Sequence, residues 1–323
     1  MLNETKVTVT KPLFSVCTEV TNRESTIIRT MDSIRQQGYQ DFDYHIVDNA
    51  SGDNSVAVIR DYLDQHPSFA EKVHFSQLNT RAPDIEAWNA PIRHATGEYI
   101  VVCEGDDWFS HDHLEIIAGA IEQHPGIGLI VSPNAKVSAQ AYARVADAMN
   151  DGRVPGREML KQLLMFEFCP PPSEVVFART GNGHPFFYDQ DHFVYAGEYS
   201  LYDQIFDAGL ETTLVSSKTV HRGIKAKPTI KTLFHVKDAY HCLFERWQSR
   251  YQPQVQDAAR KKLLVTLAKI IAQQIIWLRP DRETFSYFLQ ECRSTTGIPW
   301  LTIINGMINH AKIRLKLMIK RVA

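Results

Sequence analysis

Tyr99-Ile100-Val101-Val102-Cys103-Glu104-Gly105-Asp106-Asp107-Trp108 is the stretch on which the reading of this chain turns. Its first five residues favour a strand, a glycine then turns the backbone, and two adjacent carboxylates follow. A buried strand that ends by projecting paired acids into a cleft suits the ligation of a hard divalent cation, with positions left for a phosphate-bearing substrate. The plainer alternative is an acidic turn at a strand end. The flanking sequence decides between them.

Upstream, Pro12 opens a mostly apolar strand, Leu13 to Thr18, which places it centrally in a sheet. After the polar turn Thr21-Asn22-Arg23-Glu24-Ser25, Ile27, Ile28, Met31 and Ile34 recur at helical spacing, with Ser25 as N-cap and Gly38 as stop. Tyr44-His45-Ile46-Val47 forms a second strand running into Asp48-Asn49. A helix follows from Ser55 to Pro67, then a third strand from Lys72 to Ser76 and a helix near Ile85 to His94. Strands alternating with helices predict right-handed crossovers, a mostly parallel α/β sheet, and a cleft at the carboxyl ends of the strands.

The polar clusters all fall at those ends: Asp48 and Asn49, then Asn79 and Arg81, then Asp106 and Asp107. A carboxylate and an amide at a switch point suit a nucleobase edge or ribose hydroxyls. No GxGxxG follows the first strand and no GxxxxGK[ST] occurs, so neither dinucleotide nor P-loop chemistry is favoured. A cation on Asp107 would then handle the phosphates.

Composition narrows the field. The 323 residues accommodate one large domain, or a domain of about 200–250 residues with an appendage. A formal charge of −2 argues against bulk nucleic-acid binding. The five cysteines show no CxxC spacing, so neither a zinc knuckle nor a disulfide framework is indicated, and a reducing cytosol is expected. The polar N-terminus lacks a signal-peptide core, and no apolar run reaches a membrane span of roughly 18–20 residues.

Four stretches carry a resemblance: "PLFSVCTEVTNRE", "TMDSIRQQGYQDFDYHIVDNASGDNS", "WNAPIRHATGEYI" and "EGDDWFSHDHL". In this order, over residues 12 to 117, they resemble family 2 glycosyltransferases, inverting nucleotide-sugar-dependent enzymes of the GT-A (Rossmann-like) fold. The resemblance implies that Thr18, Val20 and Asp48 hold the base of the nucleotide, with Asn49 where the family has a second acid. Glu19 and Thr21 stand where it has Pro and Tyr, which leaves the base open. It further implies that Asp106 contacts ribose or metal and that Asp107 is the main ligand of Mg²⁺ or Mn²⁺. Arg81 is a second cationic contact or a solvated arginine, and Trp88 is expected to pack.

In the second half, Phe166-Glu167-Phe168-Cys169-Pro170-Pro171-Pro172-Ser173 resembles the family's P-x-S segment before a strand, here Val175 to Arg179. Serial prolines predict an ordered bend beside the cleft. "YAGEYSLYDQIFDAGLETTLVS" resembles the block that carries the family's catalytic base, which lands on Glu198; the reaction needs a carboxylate to take the proton of the acceptor hydroxyl. A helix-N-terminal acid is the structural alternative, and Asp203, Asp189 and Asp191 are other candidates for base. His221, after a strand over Thr212 to Ser216, is a candidate metal ligand; Arg222, Lys225 and Lys227 are phosphate-facing or loop cations.

Beyond Pro228 helical apolar spacing dominates, and the tail from Trp300 to Ala323 alternates Lys312, Arg314, Lys316, Lys320 and Arg321 with apolar residues. Such a basic amphipathic end suits an anionic inner leaflet or a partner subunit. The expected organisation is a GT-A domain over 1–228, with 12–117 binding the nucleotide sugar and 130–228 facing the acceptor. A helical region over 229–323 completes it. The expected activity is inverting transfer from a nucleotide sugar, a UDP-sugar first, to a glycan or lipid-linked acceptor in surface polysaccharide biosynthesis, by a cytoplasmic or peripheral inner-membrane enzyme. A silent glycan-binding relative and a nucleotidyltransferase are the alternatives.

Overall fold

The computed structural model describes residues 12–134, 143, 145–147, 149–164, 170–190 and 197–223. The chain divides into two compact units: Met1–Met159, Pro170–Tyr188 and Leu201–Lys225 form one, and Leu160–Cys169, Asp189–Ser200 and Ala226–Ala323 the other. The expected helical region over 229–323 and its basic tail, together with Lys225, Lys227 and Asp191, lie outside the described residues. Among the described residues no helix is long and apolar enough to cross a membrane.

The first unit is organised on a seven-stranded sheet. Its strands are β1 (Phe14–Val20), β2 (Phe42–Asp48), β3 (Val73–Gln77), β4 (Tyr99–Val102), β6 (Leu129–Val131), β7 (Val175–Ala178) and β10 (Thr212–Leu214), in the order β10-β6-β7-β4-β1-β2-β3. Two short ribbons complete the strands: β5 (Trp108–Phe109) with β11 (Val220–His221), and β8 (Thr180–Gly181) with β9 (His184–Pro185). β1 lies between β2 and β4 and is parallel to both, as its near-continuous apolar run predicts. β7 is the exception, antiparallel to β4 and to β6.

The helices between these strands are α1 (Ile27–Arg35), α2 (Ser55–Gln65), the one-turn α3 (Pro67–Ala70), α4 (Asp84–His94) and α5 (His113–Gln123). Strand alternation sends Phe14, Val16 and Val20 into one core with Ile27, Met31 and Ile34 of α1. Each of these six is fully buried, worth about 1.5–3 kcal/mol for a large aliphatic or aromatic side chain. The other face of β1 and β2 is covered by α4. There the turn after α4 approaches β1 so closely that a Cβ on Gly97 would lie 2.5 Å from Ser15 N, while Ser15 Oγ accepts the Gly97 N–H at 2.8 Å.

One local expectation is corrected. The N-cap of α1 is Thr26, not Ser25, and its side chain makes no cap bond. The Thr26 hydroxyl instead donates to Gly105 O at 2.9 Å, so a tertiary contact to the acid turn has displaced local capping. The helix ends before Gly38, with Gln36 as C-cap.

Candidate active site

The loops at the carboxyl ends of β1 and β2 interlock before they meet any ligand. Asn22 N donates to Ser51 Oγ at 2.9 Å and Gly52 N to Asn22 Oδ1 at 2.8 Å. Arg23 N reaches Ser55 Oγ at 2.7 Å, and Glu24 is bonded to Asp53 and Asn54. Asn22 takes φ 54°, left-handed backbone in which Asn is enriched. These bonds fix the floor of a cavity of about 450 Å³ lined by Glu19, Thr21, Arg23, Arg81, Trp88 and Glu104, among others.

The same alternation that builds the core decides which residues of β1 face this cavity. Cys17, Glu19 and Thr21 line it. Thr18 and Val20, expected to hold the nucleotide, are 0% exposed, and Thr18 Oγ1 accepts from Tyr44 Oη at 3.0 Å. Burial pushes the Glu19 carboxyl above its ordinary value; the Thr21 hydroxyl, Arg23 and Arg81 pull against that, and Asp84 adds to it. The signal for Glu19 and Thr21 is in the sequence: once Val16 and Val20 are assigned to the core, the odd-numbered residues must face the cleft.

Asp48 is fully buried, with Oδ2 accepting the Ser51 N–H at 2.9 Å and Oδ1 in no hydrogen bond among the described residues. Asn49 joins two strand ends: its Oδ1 accepts from Ala82 N at 2.7 Å and its Nδ2 donates to Ala82 O at 3.2 Å. That bond pair needs an amide, and a carboxylate in its place would face the Ala82 carbonyl without a proton. Arg81 is exposed on the cavity wall next to this anchor.

The acid turn after β4 is held from four directions. Thr30 Oγ1 donates to Asp107 O at 2.7 Å and Arg29 Nη2 to Asp106 O at 3.0 Å. Glu104 N donates to Ser173 Oγ at 3.0 Å, which brings the proline-rich bend to the turn; Pro172 also lines the cavity. Just after β11, Gly223 N donates to Asp107 Oδ1 at 2.9 Å. Arg222 places Nη2 3.1 Å from Glu104 Oε2 and Nε 3.6 Å from Asp107 Oδ2. Burial works against the Arg222 charge, but Glu104 and Asp107 more than offset it and raise its pKa. Gly223 is required by proximity, since a Cβ there would lie 2.6 Å from Asp106 O.

Asp107 is therefore a buried acid, 2% exposed and clasped by Gly223 and Arg222, whereas the Asp106 side chain is a quarter exposed beside Arg23. Asp106, Arg23, Arg29, Trp108, Arg222 and Gly223 line a second cavity of about 260 Å³. Glu104, Asp106 and Asp107 offer carboxylate oxygens of the kind a hard divalent cation takes, and Asp107 Oδ2 is buried without a hydrogen bond among the described residues, facing Arg222 Nε. The three acids do not converge within 4.8 Å of one another, so a cation here would rest on fewer than three of them. His221 pairs with Trp108 across the ribbon, stacks on its ring at 5.3 Å, and lies 2.9 Å through Nε2 from Ser110 Oγ. Acting as a ligand through Nε2 would require breaking that bond. The other face of Trp108 carries the Arg29 guanidinium, 3.7 Å from the ring centroid.

Cys17 and Cys103, both buried, have their thiols pushed well up by desolvation, which removes them as nucleophiles. Glu198 occupies the first turn of α7 (Gly197–Asp207; the helix Gly156–Leu164 is α6) and is partly buried. Asp203, further along α7, is 3% exposed. Asp189 donates its N–H to Ser200 Oγ at 2.9 Å.

Residues 15–170 match the sequence model of glycosyl transferase family 2. Among curated proteins, the putative teichuronic acid biosynthesis glycosyltransferase TuaG of Bacillus subtilis (strain 168) is 31% identical over 105 residues, 32% of this chain and 40% of that protein. The chain spans less than half the length of the curated relatives it matches first. Among solved structures, the mannosyltransferase PcManGT from Pyrobaculum calidifontis in complex with GDP-Man and Mn²⁺ superposes with a TM-score of 0.58 at 16% identity, over 95% of this chain and 88% of that one. S. aureus TarS 1–349 in complex with UDP-GlcNAc gives 0.57 at 13% identity, over 87% and 81%. Both likenesses concern the fold, and they agree with the mostly parallel α/β sheet.

Proposed function

From the premise that this chain carries a glycosyl transferase family 2 domain over residues 15–170, we propose that it moves a sugar from a nucleoside-diphosphate donor, a UDP-sugar first, to a hydroxyl of a glycan or lipid-linked acceptor, with inversion. The observation that carries the reading is the acid turn Glu104–Asp107, whose Glu104 and Gly105 line the cavity formed by the β1 and β2 ends, with Arg23 and Arg81 on its wall, and whose Asp106 lines the second cavity. Relatives named for teichuronic acid and amylovoran biosynthesis support surface polysaccharide as the product class. The ligands in the titles of the two structural neighbours support a nucleotide-sugar donor.

In this reading Asp48, Thr21 and the Asn49-anchored loop with Arg81 orient the nucleoside, and the backbones of Thr18 and Val20 shape its seat. Asp106 and Asp107 would hold Mg²⁺ or Mn²⁺, which when bound stabilises the charge gathering on the departing diphosphate. Asp106 is the outward ligand, while Asp107 keeps Arg222 charged and pointed at the turn. His221 braces Trp108 and stays a secondary candidate for the cation. Glu198 accepts the proton of the acceptor hydroxyl as that oxygen forms the new glycosidic bond and the sugar–phosphate bond breaks. A GT-A domain over 1–228 followed by a helical region that contacts the inner leaflet remains the proposed organisation.

The test is calorimetric titration of the full chain with UDP and GDP, each with and without Mn²⁺, alongside the Asp106→Asn variant. We expect one nucleotide to bind at least about tenfold more tightly with Mn²⁺, a difference of roughly 1.4 kcal/mol, and the variant to lose that gain. Metal-indifferent binding in the native chain would refute the cation's role, and no binding of either nucleotide would favour a silent relative.

A further inference from the structure

Where β2 pairs with β3, three ligand-bearing side chains meet away from the acid turn. His45 and His74 are side-by-side partners in the parallel register, and their rings stack with centroids 4.8 Å apart. Asp43 precedes His45 by two residues, so alternation puts it on the same face of the sheet. One ligand atom from each of the three lies within 4.8 Å of the other two, and no second trio of His, Cys, Asp or Glu of this kind occurs among the described residues.

Burial gives the cluster its meaning. His45 is 3% exposed, yet neither of its ring nitrogens makes a hydrogen bond among the described residues, and neither does Asp43 Oδ1. Nε2 of His45 approaches Asp43 Oδ2 at 3.2 Å, but not in hydrogen-bond geometry. Buried polar atoms left in this state are costly and call for a partner. Asp43 already has the outer contact that orients a ligating carboxylate, because Thr96 Oγ1 donates to its Oδ2 at 2.8 Å.

We propose that Asp43, His45 and His74 bind a divalent transition-metal ion of the zinc class, at a site distinct from the cation of the donor cavity and independent of the function proposed above. Two imidazoles and one carboxylate suit Zn²⁺, Co²⁺, Ni²⁺ or Cu²⁺, whereas Mg²⁺ and Ca²⁺ prefer all-oxygen shells. Ligand distances of about 2.0–2.2 Å to zinc require the three atoms to draw somewhat closer. The adjustment falls to His74, which is exposed on β3, the edge strand of the sheet. Its position leaves the fourth coordination place to water. The ion ties the edge strand to β2, the strand whose carboxyl end carries Asp48.

The test uses the full chain stripped with a chelator and titrated with Co²⁺ and then Zn²⁺, followed by visible absorbance and calorimetry. The expected result is one Co²⁺ per chain showing the d–d bands of a four-coordinate nitrogen–oxygen site, separable from any ion held by oxygen alone at the acid turn, and displaced by Zn²⁺. His74→Ala, at an exposed position, is expected to weaken Zn²⁺ binding beyond the roughly 10–100-fold that loss of an outer-shell partner costs, with its circular dichroism unchanged. Asp106→Asn is expected to bind Zn²⁺ like the native chain. Unchanged affinity in His74→Ala, no stoichiometric binding at micromolar metal, or a loss in Asp106→Asn equal to that in His74→Ala would each overturn the proposal.

Discussion

Asp48, the last residue of β2, and Asp107, in the turn after β4, are both buried acids at the carboxyl ends of strands that flank β1, but they are held by different sets of contacts. The Asp48 turn is secured by one local contact and by partners no more than 33 residues away in the chain: Ser51 N–H on its own carboxylate, Val20 O on the Asn49 N–H at 2.8 Å, and Ala82 on the Asn49 amide. The Asp107 turn is secured from far along the chain, by Thr30 before it and by Arg222 and Gly223 more than a hundred residues after it. A turn clasped by a remote arginine depends on the whole fold, and its charge is balanced only when that fold is complete.

The largest effect is expected at the proposed proton acceptor, which lies in neither turn. Glu198→Gln is expected to lower transfer about 10²–10⁴-fold while nucleotide binding stays unchanged, read as kcat against the calorimetric Kd. If Asp203→Asn abolished turnover and Glu198→Gln did not, the proton acceptor would move along α7. Gly223→Ala tests the remote clasp. Its Cβ must displace Asp106, so we expect turnover to fall by about 10–100-fold, on the scale of small misplacements at an active site, together with a lower Tm.

Asn49→Asp tests the local anchor. It replaces a donor by a carboxylate facing the Ala82 carbonyl, and a cost of about 1–3 kcal/mol is expected by urea denaturation. If instead Asn49→Asp were neutral and Gly223→Ala unfolded the protein, the contrast between the two turns would sharpen further.

The smallest effect is pH-linked. His113, 1% exposed with Nδ1 2.7 Å from Thr219 Oγ1, has its pKa lowered by burial to about 3. The folded state holds it neutral, so its contribution is complete above the unfolded value near 6.5 and is lost as pH falls toward the folded one. The unfolding free energy from urea denaturation is expected to drop by no more than about 2 kcal/mol from this residue between pH 7 and 5, and His113→Gln is expected to flatten that drop.

Much of this is legible in the amino-acid sequence. The alternation of apolar strands with 3.6-period helices up to the fourth strand indicates the parallel half of the sheet, and the mostly apolar run of β1 indicates its central place, because a strand with neighbours on both sides and helices over its faces has little room for charge. The clusters at Asp48, Arg81 and Asp106 were legible as strand-end residues for the same reason. The period of two along β1 turns Glu19 and Thr21 to the cavity and the Thr18 and Val20 side chains to the interior, a facing that a motif resemblance does not convey. Thr26 was hidden because its hydroxyl serves Gly105 and not its own helix. The pairing of His45 with His74 depends on strand register, which their sequence separation does not reveal.

The sequence by itself determined the α/β class, the order of the first four strands along the chain, and the acids at their ends, because hydrophobic periodicity and turn chemistry act over a few residues at a time. Only the tertiary structure decided that β7 runs antiparallel between β4 and β6, that Arg222 and Gly223 close on Asp107, and that Asp106 keeps the more open carboxylate. Those outcomes depend on which distant segments come to lie side by side, and that is set by packing over the whole sheet and not by any local pattern.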